Sequence, residues 1–263
     1  APPNAAADRL TIAVDTGAGI LKSGVAGEEG PRHTLPMKGL AEAGDARPMQ
    51  AGVIADWDAL ETYWDHAFTN QLGIDTERCN VIVTVNLFET KDSKERLLQS
   101  LFESFAIPAV FCSSPPVFEL YAAGKENGVV LGCGSQSTYA VLVHEGLPDP
   151  RTQMRSHIAG EALDAWAAAQ LSEAAGVEVG EDVGRHFKET AGLVEEAQHG
   201  QTDGDGQPHS FTLPDGKVIS LSRGQCARLA QPLFEPQLVG EASGGVAELV
   251  RQCISARDRD GTV

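Results

Sequence analysis

Two short apolar runs, each interrupted by a glycine turn and resumed as a second run, constrain this chain more than any other feature. Leu10 to Val14 leads into Asp15-Thr16-Gly17-Ala18-Gly19, and Ile20 to Val25 leads out. Gly128 to Leu131 leads into Gly132-Cys133-Gly134-Ser135, and Thr138 to Val143 leads out. Runs of this length and composition read as buried strands, and glycine lets the backbone reverse between them. Further strand and helix material follows each hairpin, so the chain reads as two related α/β halves. Of its 263 residues 42% are hydrophobic, enough to bury a core in one large domain or two small ones.

Between the hairpins the pattern alternates. Residues 28 to 52 are rich in glycine, proline and charge, and read as loop. Asp56 is placed to cap a helix whose apolar face is Trp57, Leu60, Trp64, Phe68 and Leu72, all expected in the core. Val81 to Val85 is a β-branched run and reads as a strand. Leu97, Leu98, Leu101, Phe102 and Phe105 form a second helical stripe, and Ala109 to Cys112 another short strand. Past Gly160 the sequence predicts helices over 162–175 and about 183–198, then a polar linker at 200–208. Leu213-Pro214-Asp215-Gly216 signals a hairpin between Ser210 and Leu221, and 246–253 reads as a final helix.

Charge and cysteine usage exclude several functions. A formal net charge of −17 repels phosphate backbones and anionic lipid heads, so direct binding to nucleic acid or a membrane surface is not expected. The five cysteines are odd in number, widely spaced and without a C-x-x-C pair, which points to a reducing compartment rather than a disulfide framework or zinc site. The first ten residues lack the basic start and apolar stretch of a signal peptide, and no run approaches the ~20 apolar residues of a membrane span. The expectation is a soluble protein of the cytoplasm, cytoskeleton-associated, with the nucleus as an alternative.

Asp15-Thr16-Gly17 also matches the active turn of an aspartic protease. That chemistry needs two facing carboxylates, and no second Asp-Thr-Gly or Asp-Ser-Gly occurs. The surrounding motifs point elsewhere. Val14 to Gly27 followed by Pro31-Arg32 resembles the opening phosphate hairpin of the actin family. Gly52 to Asp58, Trp64-Asp65-His66-Ala67-Phe68, Phe102 to Ala109, Leu120 to Lys125, Leu213 to Ile219 and Leu233-Phe234-Glu235-Pro236 follow in the family's order.

The resemblance implies an actin/Hsp70-type fold: duplicated α/β domains around a nucleotide cleft. The small outer subdomain is expected to be reduced, because few residues separate Arg32 from Gly52, and the C-terminal part of the family pattern is not found. The halves are expected at 9–124 and 125–263. The resemblance carries nucleotide-binding roles to Asp15, Gly17, Gly19, Lys22, Gly134, Gly160, Lys188 and Glu189. Lys22 matches the phosphate-contacting lysine and Asp15 the acidic group that orients magnesium-bound water. Lys188-Glu189 matches a base- and ribose-side pair, although any exposed helix carries such pairs.

Other positions depart from the family. Ala18 replaces a serine, so one hydroxyl donor is lost. The magnesium-organising aspartate falls on Gly132, a second aspartate of that turn on Ser135, and a water-arranging histidine on Tyr139. The glutamine that positions the attacking water falls on Pro115, whose side chain makes no hydrogen bond. Each loss costs ~10² or more in rate, and together they should abolish efficient hydrolysis. No catalytic residue and no metal ligand is therefore assigned.

The resulting expectation is a non-hydrolysing actin-related scaffold or complex subunit, binding ATP and magnesium weakly or not at all. It would act through protein partners, with a conventional filament not expected. The alternative is an ATP-binding switch or slow ATPase with a rearranged cleft. A third reading is a truncated product whose uncovered apolar surface requires a partner.

Overall fold

A computed structural model of the chain describes residues 9–44, 46–194 and 209–258. It is a mixed α/β protein with several sheets, and it divides into two compact units. Unit one comprises residues 1–130 and 141–153, and unit two residues 131–140 and 154–263.

Unit one is built on strands β1 (Leu10–Thr16), β2 (Ile20–Val25) and β3 (His33–Pro36). The two-residue strands β4 (Met49–Gln50) and β5 (Val53–Ile54) follow, then α1 (Trp57–Asp65), β6 (Cys79–Thr84), α2 (Lys91–Gln99), β7 (Ala109–Ser113) and α3 (Pro115–Ala122). The main sheet has the order β3-β2-β1-β6-β7. Its first three strands are antiparallel neighbours, whereas β1, β6 and β7 run parallel. Alternation along the strands sends Ile12, Val14, Val81 and Val83 to one face. There they join Leu60, Tyr63, Trp64 and Phe68 of α1 and its extension, Leu97 of α2 and Leu101 of the turn that extends it, in one buried cluster. Each large side chain so buried contributes about 1.5–3 kcal/mol relative to exposure.

Local chemistry explains the helix boundaries. Asp56 accepts a hydrogen bond from the Ala59 amide at 3.0 Å and starts α1 as expected. The last turns of both helices, His66–Gln71 and Ser100–Ser104, loosen into π-helix. Both meet at Phe105, whose ring is edge-on to Trp64 and Phe68, at 6.1 and 5.4 Å. Trp57 differs from its expected place in the core: it is half-buried, with the Arg96 guanidinium 4.8 Å above its ring.

The stretch 28–52, expected as loop, contains structure. His33–Pro36 pairs with Ile20–Ser23 as β3, and β4 and β5 form a tight ladder around Ala51 and Gly52, both at positive φ. These strands are too short to show periodicity in sequence; pairing to a formed neighbour stabilises them.

Strands β8 (Gly128–Cys133) and β9 (Thr138–His144) pair, and the division between the units passes through both. The short β10 (Leu147–Pro148) pairs with the end of β9 in unit one. In unit two, β11 (Met154–Ser156) pairs antiparallel with the other end of β9. Helices α4 (Gly160–Ala175) and α5 (Glu181–Ala191) follow, then the β12 (His209–Thr212) and β13 (Val218–Leu221) hairpin, α6 (Arg223–Ala227) and α7 (Val246–Asp258). Ala167, Leu171, Phe187, Phe211, Ile219 and Leu221 join the helices and the hairpin in a second core.

Gly184 lets α5 approach α4 closely: a Cβ there would lie 2.4 Å from the Asp164 carbonyl oxygen. The helix expected to reach residue 198 ends at Ala191, where Gly192 departs into extended backbone; residues 195–198 and the linker at 200–208 lie outside the described residues. Among the described residues, no helix is long and apolar enough to cross a membrane.

Candidate functional site

The first glycine turn belongs to unit one. Thr84 of β6 donates to Asp15 Oδ1 at 2.8 Å, and its hydroxyl accepts from the Thr16 amide at 3.1 Å. Trp64 donates its indole N–H to Thr16 Oγ1 at 3.1 Å. These bonds tie the end of β1 to its parallel neighbour and to α1. Lys22 reaches Asp15 Oδ2 at 3.2 Å, with the two side chains 50% and 38% exposed. Such an open pair is worth at most about 1 kcal/mol, so Lys22 can be drawn away by a competing anion at little cost. Gly17 is required by proximity, since a Cβ would meet the Ile20 carbonyl oxygen at 2.7 Å. The Gly19 carbonyl accepts from the Met37 amide at 2.9 Å, which fixes the far side of the turn.

The second glycine turn, in unit two, is closed on itself. Gly134 donates to the Ser137 carbonyl at 2.9 Å. The first amides of α4 are spent on the turn: Gly160 donates to the Gly134 carbonyl at 2.9 Å and Glu161 to the Ser135 carbonyl at 2.8 Å. A helix N-terminus is an anion site through its free N–H groups, and here two of them have protein partners. The Glu161 carboxylate then accepts from both Ser135 Oγ and Gln136 Nε2 at 3.2 Å. The donors of this turn are thus directed at an acidic group the chain itself supplies. Gly132 stands beneath Tyr139, with a built Cβ only 2.3 Å from the phenol carbon Cζ.

Lys188 and Glu189 part company on α5. Glu189 is exposed, whereas Lys188 pairs with Asp164 Oδ1 at 2.6 Å and donates to the Gly160 carbonyl at 3.3 Å. Arg185 joins through Nε to Asp164 Oδ2 at 2.8 Å. Asp164 is buried, and its hydrogen bond and charge hold the Arg185 guanidinium above its ordinary pKa. The cluster fastens α5 to α4.

Pro115, at the start of α3, is followed by Pro116, so the first two helical positions carry no N–H. Ser114 caps the helix through its backbone, without a side-chain bond.

The structure thus brings Asp15, Gly17, Gly19 and Lys22 together at one turn, and Gly134, Gly160 and Lys188 at another. Sequence reasoning missed Thr84, Glu161 and Asp164. Glu161 carries no distinguishing signal, because an acidic residue in the first turn of a helix is ordinary. Among the described residues no three His, Cys, Asp or Glu side chains converge as a metal site would require. Comparison with protein-family models matches residues 7–183 to the actin family, more than half of the chain.

Proposed function

Because the chain belongs to the actin family, we propose that it is a non-hydrolysing member that works as a scaffold or complex subunit, through bound proteins rather than nucleotide turnover. The observation that carries this reading is the second glycine turn. Its side-chain donors face Glu161, Gly132 offers no carboxylate, and the Tyr139 ring occupies the space a side chain there would take. A carboxylate at that point repels a phosphate group, and Glu161 is engaged by Ser135 and Gln136 rather than standing at Gly132, where the family's magnesium-organising aspartate is missing. The residues of this turn therefore do not fit a metal–triphosphate.

The rest of the reading follows the family. Members of the family carry duplicated halves with a nucleotide cleft, and in this chain Pro115-Pro116 supplies neither side chain nor amide to orient water. The partners are proteins of cytoskeletal or multi-subunit complexes in the cytoplasm, and a conventional filament is not part of the reading.

Titration calorimetry with ATP and magnesium, together with a phosphate-release assay, tests it. Expected are weak or undetectable heats and no release above background. Turnover comparable to ordinary actin would end the reading.

One observation favours a second reading, an ATP-binding switch. Asp15, Thr84 and half-exposed Lys22 form a tied, accessible group at the first turn. A ligand bound only by the native form must raise the melting temperature. That reading requires such a rise with ATP and magnesium, and its loss in Lys22→Ala.

A further inference from the structure

Of the five asparagines in the chain, Asn127 alone is followed by glycine. The pair Asn127-Gly128 lies in unit one, where an exposed bend at Glu126 and Asn127 enters β8 at Gly128. Asn127 Oδ1 accepts from the Glu145 amide at 2.8 Å, and the Glu126 carbonyl accepts from the Gly146 amide at 3.0 Å. Glu145 and Gly146 are the two residues between β9 and β10, and both have positive φ, 50° and 73°, as a tight hairpin turn of the primed kind requires. A non-glycine residue in that region is strained, so the Asn127 carbonyl helps to hold Glu145 there. Tyr121 of α3 lies over the same turn, since a Cβ built on Gly146 would collide with its hydroxyl.

This geometry suits one reaction. The Gly128 nitrogen reaches Asn127 Cγ by closing a ring within the chain, and glycine offers neither a side chain to block the approach nor a restriction on the backbone rotation it needs. The Glu145 N–H, already on Oδ1, polarises the carbonyl and meets the negative charge that this oxygen gains as the bond forms. Gly128 is the first residue of β8, where a ladder opens most readily. Asn127 is exposed, so ammonia has a way out and water a way in.

We infer that Asn127 is a site of spontaneous modification, deamidating through a cyclic imide to a mixture of aspartate and isoaspartate. The bond from the Gly128 nitrogen to Asn127 Cγ forms and the Cγ–Nδ2 bond breaks. The proton of the Gly128 nitrogen passes through water to Nδ2, which departs as ammonia. One water then opens the imide: addition at Cγ gives aspartate, and addition at the main-chain carbonyl carbon gives isoaspartate. No oxidant or reductant is needed. In isoaspartate the main chain runs through Cβ and Cγ and is one methylene longer, and a new carboxylate stands beside Glu126 and Glu145. The bonds to the Glu145 and Gly146 amides then fall out of register, and the β9–β10 turn beneath Tyr121 opens. The inference is independent of the scaffold reading.

The test is ageing of the full chain at mildly alkaline pH and physiological temperature, followed by tryptic mapping with mass spectrometry. The peptide 126–151 holds Asn127 as its only asparagine. It should gain the mass of an amide-to-acid exchange, in two chromatographic forms, one of them a substrate for an isoaspartyl carboxyl methyltransferase. Peptides carrying Asn70, Asn80 and Asn86, which precede Gln71, Val81 and Leu87, should stay unchanged over the same time. Gly128→Ala should slow the conversion about tenfold or more. Its added Cβ lies 3.2 Å from Leu120 Cδ2, a side-chain end that yields. Should that variant fail to fold, Asn127→Gln, whose longer amide closes its ring far more slowly, must show the same resistance. In the isoaspartate form, hydrogen exchange at the Glu145 and Gly146 amides should accelerate about tenfold or more. Asn127→Asp, which keeps the acceptor, should leave that exchange near its original rate. Asn127 intact while a free peptide of the same sequence converts, equal conversion at the other asparagines, aspartate without isoaspartate, indifference to Gly128→Ala, or unaltered exchange would each overturn the proposal.

Discussion

Gly132 and Tyr139 share one space: a Cβ built on Gly132 lies 2.3 Å from Cζ and 2.5 Å from Oη of the Tyr139 phenol, so a side chain there must move the ring. The missing carboxylate on β8 and the large ring on β9 are therefore one packing arrangement rather than two separate losses. Gly132→Asp alone should cost about 1–3 kcal/mol, as overpacking does. Combined with Tyr139→His it should cost clearly less than the sum of the two single changes. Urea denaturation in a double-mutant cycle reads the coupling. Strict additivity would mean that the ring swings aside freely.

Asp164 is the anchor between α4 and α5, facing two cations with a side chain only 4% exposed. Asp164→Ala removes the buried carboxylate that both cations share, leaving Arg185 only the weaker attraction of Asp182 and Glu189, and should cost about 1–3 kcal/mol. Lys188→Met should cost much less, because Arg185 still neutralises the carboxylate. The same denaturation experiment ranks them. A reversed order would show that Lys188, not Asp164, organises the contact.

Glu248 on α7 is held well below the ordinary carboxylate value of 4.5, at about 2, first by its hydrogen bond from Arg251 and then by that from Gln252. A lowered folded-state pKa means that this contribution to stability is complete above pH 4.5 and disappears as the pH falls through about 2. Carbon-detected NMR of the Glu248 carboxyl should show that low midpoint. Arg251→Ala should move it up towards 4.5. An unchanged midpoint in the variant would show that the arginine is not the cause.

The cysteines should separate by reactivity. Burial raises the Cys79 thiol, with Asp75 adding to the effect and Arg78 opposing it, and burial alone raises Cys226. Cys253 is also buried, whereas Cys112 and Cys133 are exposed. A thiol-specific reagent should label Cys112 and Cys133 rapidly in native protein and all five cysteines after denaturation. Rapid native labelling of Cys79 would contradict its burial at the start of β6.

Much of the fold was legible from local pattern. The β1–β2 hairpin, the Asp56 cap, the stripe through Leu60, Trp64 and Phe68, and the turn after Leu213 follow from periodicity, capping chemistry and glycine placement. The strand at 33–36 was not legible, because four residues without alternation acquire structure only by pairing with β2. Trp57 was placed in the core by spacing, but the helix rotates it to the margin, where Arg96 covers it. At the candidate site, the sequence indicated which residue types stand in each glycine turn but not their partners.

The order of the apolar runs, the glycine turns, the acidic charge and the family motifs are properties of the sequence alone, since they depend on neighbours a few residues apart. What the donors of the second turn face, that Lys188 is engaged with Asp164, and that Asn127 holds the β9–β10 turn were decided by tertiary structure. Those facts join residues from 18 positions apart (Asn127 and Glu145) to 26 (Ser135 and Glu161), and no local preference specifies a distance between groups that only the packed chain brings together.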